Sequence, residues 1–312
     1  MSSIRVHDRP EMQQFLRILS GLEQPGGDPR VKQIVHRLVS DLFKAIDDLD
    51  ITPDEYWAGI AWFNAIGAAG QAGLISPGLG LDHFLDVRMD AKDAELGITN
   101  ETPRTIEGPL YVAGAPVEQG FARLDDGRDT DGHPLIMHGT VHGADGKPVP
   151  GATVEVWHCD TRGFYSHFDP TGEQAPFNMR RTIITDDLGR YRFRSIVPKG
   201  YGVPPGSPTE QALALLGRHG QRPAHIHFFV GDAAHRKLTT QINIAGDPLV
   251  NDDFAYATRE GLVPELIEHA DANGAEADGI EGAHAEIRFD FHLTPLVGGE
   301  DNQIVERARA AA

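Results

Sequence analysis

The sequence predicts an α+β chain in which a helical N-terminal part is followed by an antiparallel β-sandwich. Three observations carry that reading. Apolar residues before residue 103 recur at intervals of three and four, as on one face of a helix. After it they alternate with polar residues at a period of two. Turn residues separate the alternating runs at regular intervals. Helices first and strands afterwards describe segregated layers, whereas a parallel βαβ sheet would interleave them. The implied division is a helical part over 1–103 and a strand-built part over 104–312.

The elements follow in order. Met12, Phe15, Leu16, Leu19 and Leu22 mark a first helix. Over 28–49, Val31, Ile34, Val35, Leu38, Val39, Leu42, Phe43 and Ile46 make one wide apolar stripe. Thr52-Pro53-Asp54-Glu55 opens a third helix. Thr52 caps it, Pro53 suits the first helical position because no N–H is needed there, and Glu55 closes a capping box. Tyr56, Trp57, Ile60, Phe63 and Ile66 continue on the same period. Gly78-Leu79-Gly80 reads as a turn, and 81–96 as one more helix. Strands are expected over 153–160, 189–196, 225–230, 238–244 and 285–293. In the last of these Ile287, Phe289 and Phe291 alternate with Glu286, Arg288, Asp290 and His292. The Ala-rich C-terminal tail reads as a frayed terminus.

Composition narrows the function. The 312 residues carry 28 Lys and Arg against 46 Asp and Glu, a formal charge of −18, with no basic cluster to neutralise phosphates, which argues against nucleic acid. Hydrophobic residues make up 40% of the chain, enough for a sizeable core. A single cysteine, Cys159, excludes an intrachain disulfide and fits a reducing compartment. No signal-peptide pattern opens the chain, and no window approaches the roughly 18 apolar residues of a membrane span. A soluble, cytoplasmic protein is expected.

Some features are expected to be inert. Cys159 has no neighbouring base in sequence and reads as a small buried hydrophobe. Asp129-Thr130-Asp131-Gly132 resembles a calcium loop, but Gly127 stands where the first carboxylate belongs, so an acidic surface turn is expected. No Gly-x-Ser-x-Gly elbow or His-Glu-x-x-His motif is present.

His225-Ile226-His227 carries more information. In a strand, residues i and i+2 point to the same side about 7 Å apart, so two imidazoles can converge on one ion. The plainer alternative is a polar outer face, as expected for His138 and His142. No third histidine, cysteine or carboxylate stands out nearby as a zinc ligand. Tyr165 and Tyr201, two of only six tyrosines, stand instead in glycine-flanked loops, where packing is the ordinary role.

Taken together, six segments resemble the intradiol ring-cleavage dioxygenases, in that family's order and across nearly the whole chain. They are Thr102-Pro103-Arg104-Thr105-Ile106-Glu107-Gly108-Pro109-Leu110-Tyr111, the run from Gly151 to Trp157-His158, Arg162-Gly163-Phe164-Tyr165, Gly189-Arg190-Tyr191-Arg192-Phe193, Pro198-Lys199-Gly200-Tyr201 and Arg222-Pro223-Ala224-His225-Ile226-His227. The resemblance implies non-haem Fe(III) held by Tyr165, Tyr201, His225 and His227. Tyr201 would be the axial ligand that leaves when substrate binds, opposite His227, while Tyr165 and His225 stay. It implies Arg222 as a cation beside the reacting ring, with Gln241 next to it. It also implies a flat apolar pocket walled by Leu74, Pro77, Ile106, Pro109, Leu110, Phe254 and Ala255. Leu74 and Pro77 come from the helical part, so the site is expected at its junction with the strands. The implied substrates are catechol and O2, and the product cis,cis-muconate. The implied assembly is a homodimer joined through the N-terminal helices, often with a bound phospholipid.

Charge accounts for the donor set. Fe(III) with two phenolates and one hydroxide is neutral, and a catecholate dianion replacing one phenolate and the hydroxide leaves it neutral. The departing groups take up the two catechol protons, so no carboxylate base is needed. Two alternatives stay open: a relative of the same fold acting on hydroxyquinol or chlorinated catechols, and a β-sandwich binding module without catalysis. The Ile106-Glu107-Gly108-Pro109-Leu110 run, free of bulky replacements, favours catechol itself.

Overall fold

The computed structural model describes residues 5–99, 101–296 and 309. The expected fraying of the C-terminal tail therefore lies outside the described residues, Arg309 apart. Six α-helices are found among these residues: α1 Pro10–Leu19, α2 Pro29–Leu49, α3 Pro53–Ala68, α4 Ala72–Gly78, α5 Leu81–Glu95 and α6 Pro208–Leu215. The strands are β1 Val117–Gln119, β2 Phe121–Arg123, β3 Pro134–His142, β4 Thr153–Trp157, β5 Arg180–Ile184, β6 Arg190–Ile196, β7 Tyr201–Gly202, β8 Gln221–Arg222, β9 His225–Gly231, β10 Leu238–Asn243, β11 Ile267–His269, β12 His284–Arg288 and β13 Phe291–His292. The chain forms two compact units, Met1–Ala65 and Ile66–Ala312.

The first unit holds α1, α2 and most of α3. Asp28 caps α2, accepting from the Arg30 and Val31 amides at 2.7 and 3.1 Å. The capping box at Thr52 is present: the Thr52 amide donates to Glu55 Oε2 at 2.9 Å, and the Glu55 amide donates to Thr52 Oγ1 at 3.3 Å. α1 ends at Leu19, so Leu22 lies beyond it. The stripe on α2 buries no residue; Val31, Ile34, Leu38 and Leu42 all stay exposed.

In the second unit, the turn expected at Gly78-Leu79-Gly80 is found at Leu79 and Gly80, and α4 before it is an element the sequence does not announce; seven residues with Pro77 inside are too short to display a period. α5 is tied down by charge. Asp90 pairs with Arg104 at 2.8 Å and with Arg259 at 2.7 Å, and Asp93 pairs with Arg236 at 2.7 Å. Arg104 begins the segment that runs to the metal centre described below.

Two sheets make the sandwich. One has the order β1-β5-β4-β9-β10, and the other β11-β12-β3-β6-β2 with β13 also on β3. Val154, Val156, Ile226, Phe228 and Ile242 from the first pack against Leu135, Met137, Tyr191, Phe193, Ile287 and Phe291 from the second. The antiparallel expectation holds for β4-β5, β4-β9, β9-β10, β3-β6 and β11-β12, while β1 on β5, β2 on β6, and β12 and β13 on β3 pair in parallel. The sheets are thus mixed, with parallel pairs where long connections return a strand to its neighbour. The strand expected over 285–293 is two strands. Between them the Thr140 amide bonds the Asp290 side chain at 2.8 Å, and Tyr191 Oη donates to the Phe289 carbonyl, also at 2.8 Å, which interrupts the ladder.

Candidate metal centre

The site is built on the outer face of β9. Ile226 and Phe228 turn into the sandwich, so His225 and His227 turn outward, and both are buried there by neighbouring segments. Register places Trp157 of β4 and Gln241 of β10 on either side of His227, and Asn243 beside His225. The Trp157 indole stacks on the His227 ring with centroids 5.0 Å apart and planes 4° from parallel. His225 Nδ1 lies 2.7 Å from the Pro223 carbonyl, a contact that requires its proton there. Nε2 is then a bare lone pair facing the site. The Nδ1 of His227 is buried with no partner among the described residues.

Two loops bring the tyrosines. Tyr201 opens β7, paired with Arg222 of β8. Tyr165 follows Gly163, which has φ +84°, and a Cβ at Gly163 would sit 2.9 Å from Tyr201 Cβ. Glycine is required for the two loops to approach this closely. Their rings meet edge to face, centroids 5.4 Å apart.

The four donor atoms converge. Tyr165 Oη lies 3.5 Å from Tyr201 Oη and 3.4 Å from His225 Nε2, and His225 Nε2 lies 3.1 Å from His227 Nε2. Donors on one ion with bonds of roughly 2.1 Å stand about 3.0 Å apart at 90° and about 3.6 Å apart at 120°. The observed separations span that interval, and the donor set fits a metal ion. Without the ion, burial holds both phenols above their usual pKa, Tyr165 well above it. Burial, with Arg222 nearby, pushes His225 down to about 3, and burial with His225 beside it takes His227 well down. Neutral imidazoles are ready to donate lone pairs; the phenols need a strong positive charge to ionise. Two anionic oxygens and two neutral nitrogens suit a hard trivalent ion. Among the described residues no group of three or more His, Cys, Asp or Glu is placed to hold a metal.

Arg222 lies beneath these donors. Its Nη1 is 2.9 Å from His225 Nε2, its Nη2 donates to Gln241 Oε1 at 2.7 Å, and Asp253 takes Nε at 3.2 Å and Nη2 at 3.1 Å. Gln241 Nε2 in turn donates to Asn243 Oδ1 at 3.1 Å. The ion pair is buried on both sides. Burial alone would lower the pKa of Arg222, but Asp253 and Tyr201 outweigh it and raise it.

The expected wall residues fall in two groups. Ile106, Phe254 and Ala255 share one buried cluster with Val203 and Leu213. Leu110 packs on the cluster of Trp157, Cys159, Tyr165 and Phe229. Pro77 is buried on α4 next to Gly78, where a Cβ would stand 3.5 Å from the Phe254 ring. Leu74 lies one turn earlier on α4, half-buried, and Pro109 is half-buried beside Leu110. Gly108, at φ +72°, turns the chain so that a Cβ there would be 3.5 Å from His227 Cε1.

Sequence reasoning passed over Asp253 and did not single out Arg180 or a role for Trp157. Nothing local separates Asp253 from exposed Asp252; only the fold turns one inward. The inert features behave differently from one another. Cys159 is buried, its thiol pushed up to about 12 by burial and donating to the Lys199 carbonyl at 3.1 Å. Asp129 accepts from the Thr161 amide at 3.0 Å on the rim of an acidic cavity of about 210 Å³. His138 and His142 face outward but are engaged: His138 Nε2 is 2.8 Å from Glu286, and the His142 ring stacks on His292.

Comparison with known proteins agrees with this geometry. Residues 106–295 match the family described as Dioxygenase, and residues 28–97 the one described as Catechol dioxygenase N terminus. The chain is 64% identical over 308 residues to catechol 1,2-dioxygenase of Acinetobacter baylyi, covering 99% of both chains. It is 55% identical over 298 residues to catechol 1,2-dioxygenase of a Pseudomonas species, covering 96% of this chain and 98% of that one. The solved structure of catechol 1,2-dioxygenase from Acinetobacter sp. ADP1 inhibited by bound mercury superposes with a TM-score of 0.94 at 64% identity, covering 99% of this chain and all of that one. The chain belongs to the intradiol ring-cleavage dioxygenase family, on the catechol dioxygenase branch.

Proposed function

We propose that this protein cleaves catechol between its two hydroxylated carbons, adding both atoms of O2 to give cis,cis-muconate, at a non-haem Fe(III) held by Tyr165, Tyr201, His225 and His227. The observation that carries the reading is the convergence of two phenol oxygens and two imidazole nitrogens at 3.1–3.5 Å in a chain of this family. When bound, ferric iron supplies the positive charge that ionises the phenols and the catechol and makes the bound ring reactive towards O2.

The chain supplies the rest. Tyr201 Oη would take up a catechol proton, and Tyr165, more deeply enclosed, would keep its phenolate. His225 is held by the Pro223 carbonyl and His227 by the Trp157 stack, so neither ring needs to reorganise. Arg222 now donates towards His225 Nε2; with that lone pair engaged elsewhere, its N–H turns to the negative charge that develops on the ring. Gln241 and Asp253 aim it. Leu74, Pro77, Ile106, Pro109, Leu110, Phe254 and Ala255 form the apolar walls that exclude water and admit one aromatic ring.

The exposed stripe on α2 supports a homodimer through the N-terminal helices: Val31, Ile34, Leu38 and Leu42 are the apolar surface a second copy would cover, and acyl chains of a phospholipid suit the same surface. No described helix is long and apolar enough to cross a membrane, and a cytoplasmic role in aromatic-ring catabolism fits the single buried cysteine. Steady-state kinetics on catechol, 4-chlorocatechol and hydroxyquinol test the substrate. Catechol should have the highest kcat/KM; a preference of about tenfold or more for hydroxyquinol overturns the assignment.

A further inference from the structure

A second buried cation stands beside the centre, with no carboxylate among the described residues to balance it. Arg180 begins β5 opposite Trp157 and is 1% exposed. Its Nε donates to Ser166 Oγ at 2.9 Å, and its Nη2 to the Leu110 and Ser166 carbonyls at 2.8 and 3.2 Å; its Nη1 has no partner among the described residues. All of these acceptors are neutral. Arg222 differs, because Asp253 cancels its charge across two hydrogen bonds. A guanidinium buried among neutral groups is unfavourable until an anion forms near it. The Arg180 guanidinium carbon lies 5.6 Å from the centroid of the Tyr165 ring, which becomes that anion when Tyr165 ionises.

We infer that Arg180 is the charge partner of the Tyr165 phenolate. The inference rests on the ferric reading above and deepens it. Tyr165 ionises beside an uncancelled cation, and its negative charge is held. Arg180 touches no substrate. It is a positioning residue, and its bonds to Ser166 and Leu110 also fix the loop that carries Tyr165 and one wall of the pocket.

The test is the phenolate-to-iron absorption band of the holoenzyme, resting and with anaerobic catechol, alongside iron content. In Arg180→Met, loss of the positive charge raises the phenolate electrons in energy and moves the band to longer wavelength. Ser166→Asp keeps the guanidinium but places a carboxylate against it, and should move the band the same way. Arg180→Lys keeps the charge and should leave the band where it is in the unaltered protein. An unmoved band in an iron-loaded Arg180→Met or Ser166→Asp protein overturns the inference, as does a Lys variant that shifts as far as Met. Loss of iron from all three variants assigns Arg180 to the fold and overturns it equally. Absence of any such band in the unaltered protein instead overturns the ferric reading.

Discussion

Asp253→Asn is the most informative perturbation of the polar network under the metal centre. Asp253 gives both carboxylate oxygens to Arg222, at 3.2 and 3.1 Å, and accepts from the Ala255 amide at 3.0 Å. The side chains of the pair are 4% and 1% exposed, so solvent cannot replace either partner. Asparagine preserves shape and one acceptor oxygen but leaves the guanidinium uncompensated. Breaking a buried ion pair by removing one partner costs about 3–5 kcal/mol, and the retained acceptor places the expected loss at the lower end. The second unit runs from Ile66 to Ala312, and domains of that size lose roughly 2–4 °C of Tm per kcal/mol. The holoenzyme should therefore melt about 6–12 °C lower by calorimetry. Removing a charge-stabilising donor outright costs about 10²–10³ in kcat. Arg222→Ala should approach that loss with iron content near normal, while Asp253→Asn, which only loosens the donor's aim, should lose less. A Tm within about 2 °C of the unaltered protein, together with unchanged kcat, would refute the claim that Asp253 holds Arg222.

Three further outcomes are expected. With anaerobic catechol bound, Tyr165→Phe should lose more of the visible absorption than Tyr201→Phe, since Tyr201 has already left; equal spectra from the two complexes count against the exchange. Gly108→Ala forces an L residue into φ +72° and brings a methyl 3.5 Å from His227 Cε1, costing roughly 1–2 kcal/mol of stability and raising KM for catechol, as read by melting and steady-state kinetics. His158 is fully buried, bonded to the Cys159 carbonyl and Ser195 Oγ at 2.7 Å each, and burial pushes its pKa down from 6.5 to about 4. Because the folded pKa lies below the unfolded one, the unfolded chain takes up the proton first as pH falls. The stability due to neutral His158 is complete above pH 6.5 and is lost between about 6.5 and 4, up to about 3 kcal/mol in all. Denaturant titrations should give a flatter pH slope across that window for His158→Gln; an unchanged slope contradicts it.

Much of this was legible in the sequence, for identifiable reasons. Helix α2, the Thr52 capping box and the alternation in β6 and β9 are local signals, and local signals survive without a fold. The His225 and His227 pair was visible because a strand puts i and i+2 on one face. That Tyr165 and Tyr201 join them was legible only through resemblance, since 60 residues separate Tyr165 from His225 and no spacing rule spans that distance. Helix α4 was too short to show a period. The break at Phe289 and Asp290 was hidden because an aspartate side chain can replace a ladder carbonyl while the alternation of residue types is kept. Asp253 and Arg180 were invisible for a third reason: an arginine or aspartate reads as surface, and only packing reveals that it is buried and what balances its charge.

The central claim is a ferric ion gripped by two phenolates and two imidazoles. It is tested most directly by a visible spectrum of the purified protein, taken with an iron assay, before and after anaerobic addition of catechol. The account predicts one iron per chain, a wine-red colour, and a band that changes on catechol binding while one tyrosinate remains. A fully iron-loaded protein without colour would contradict it, as would full activity with zinc in place of iron.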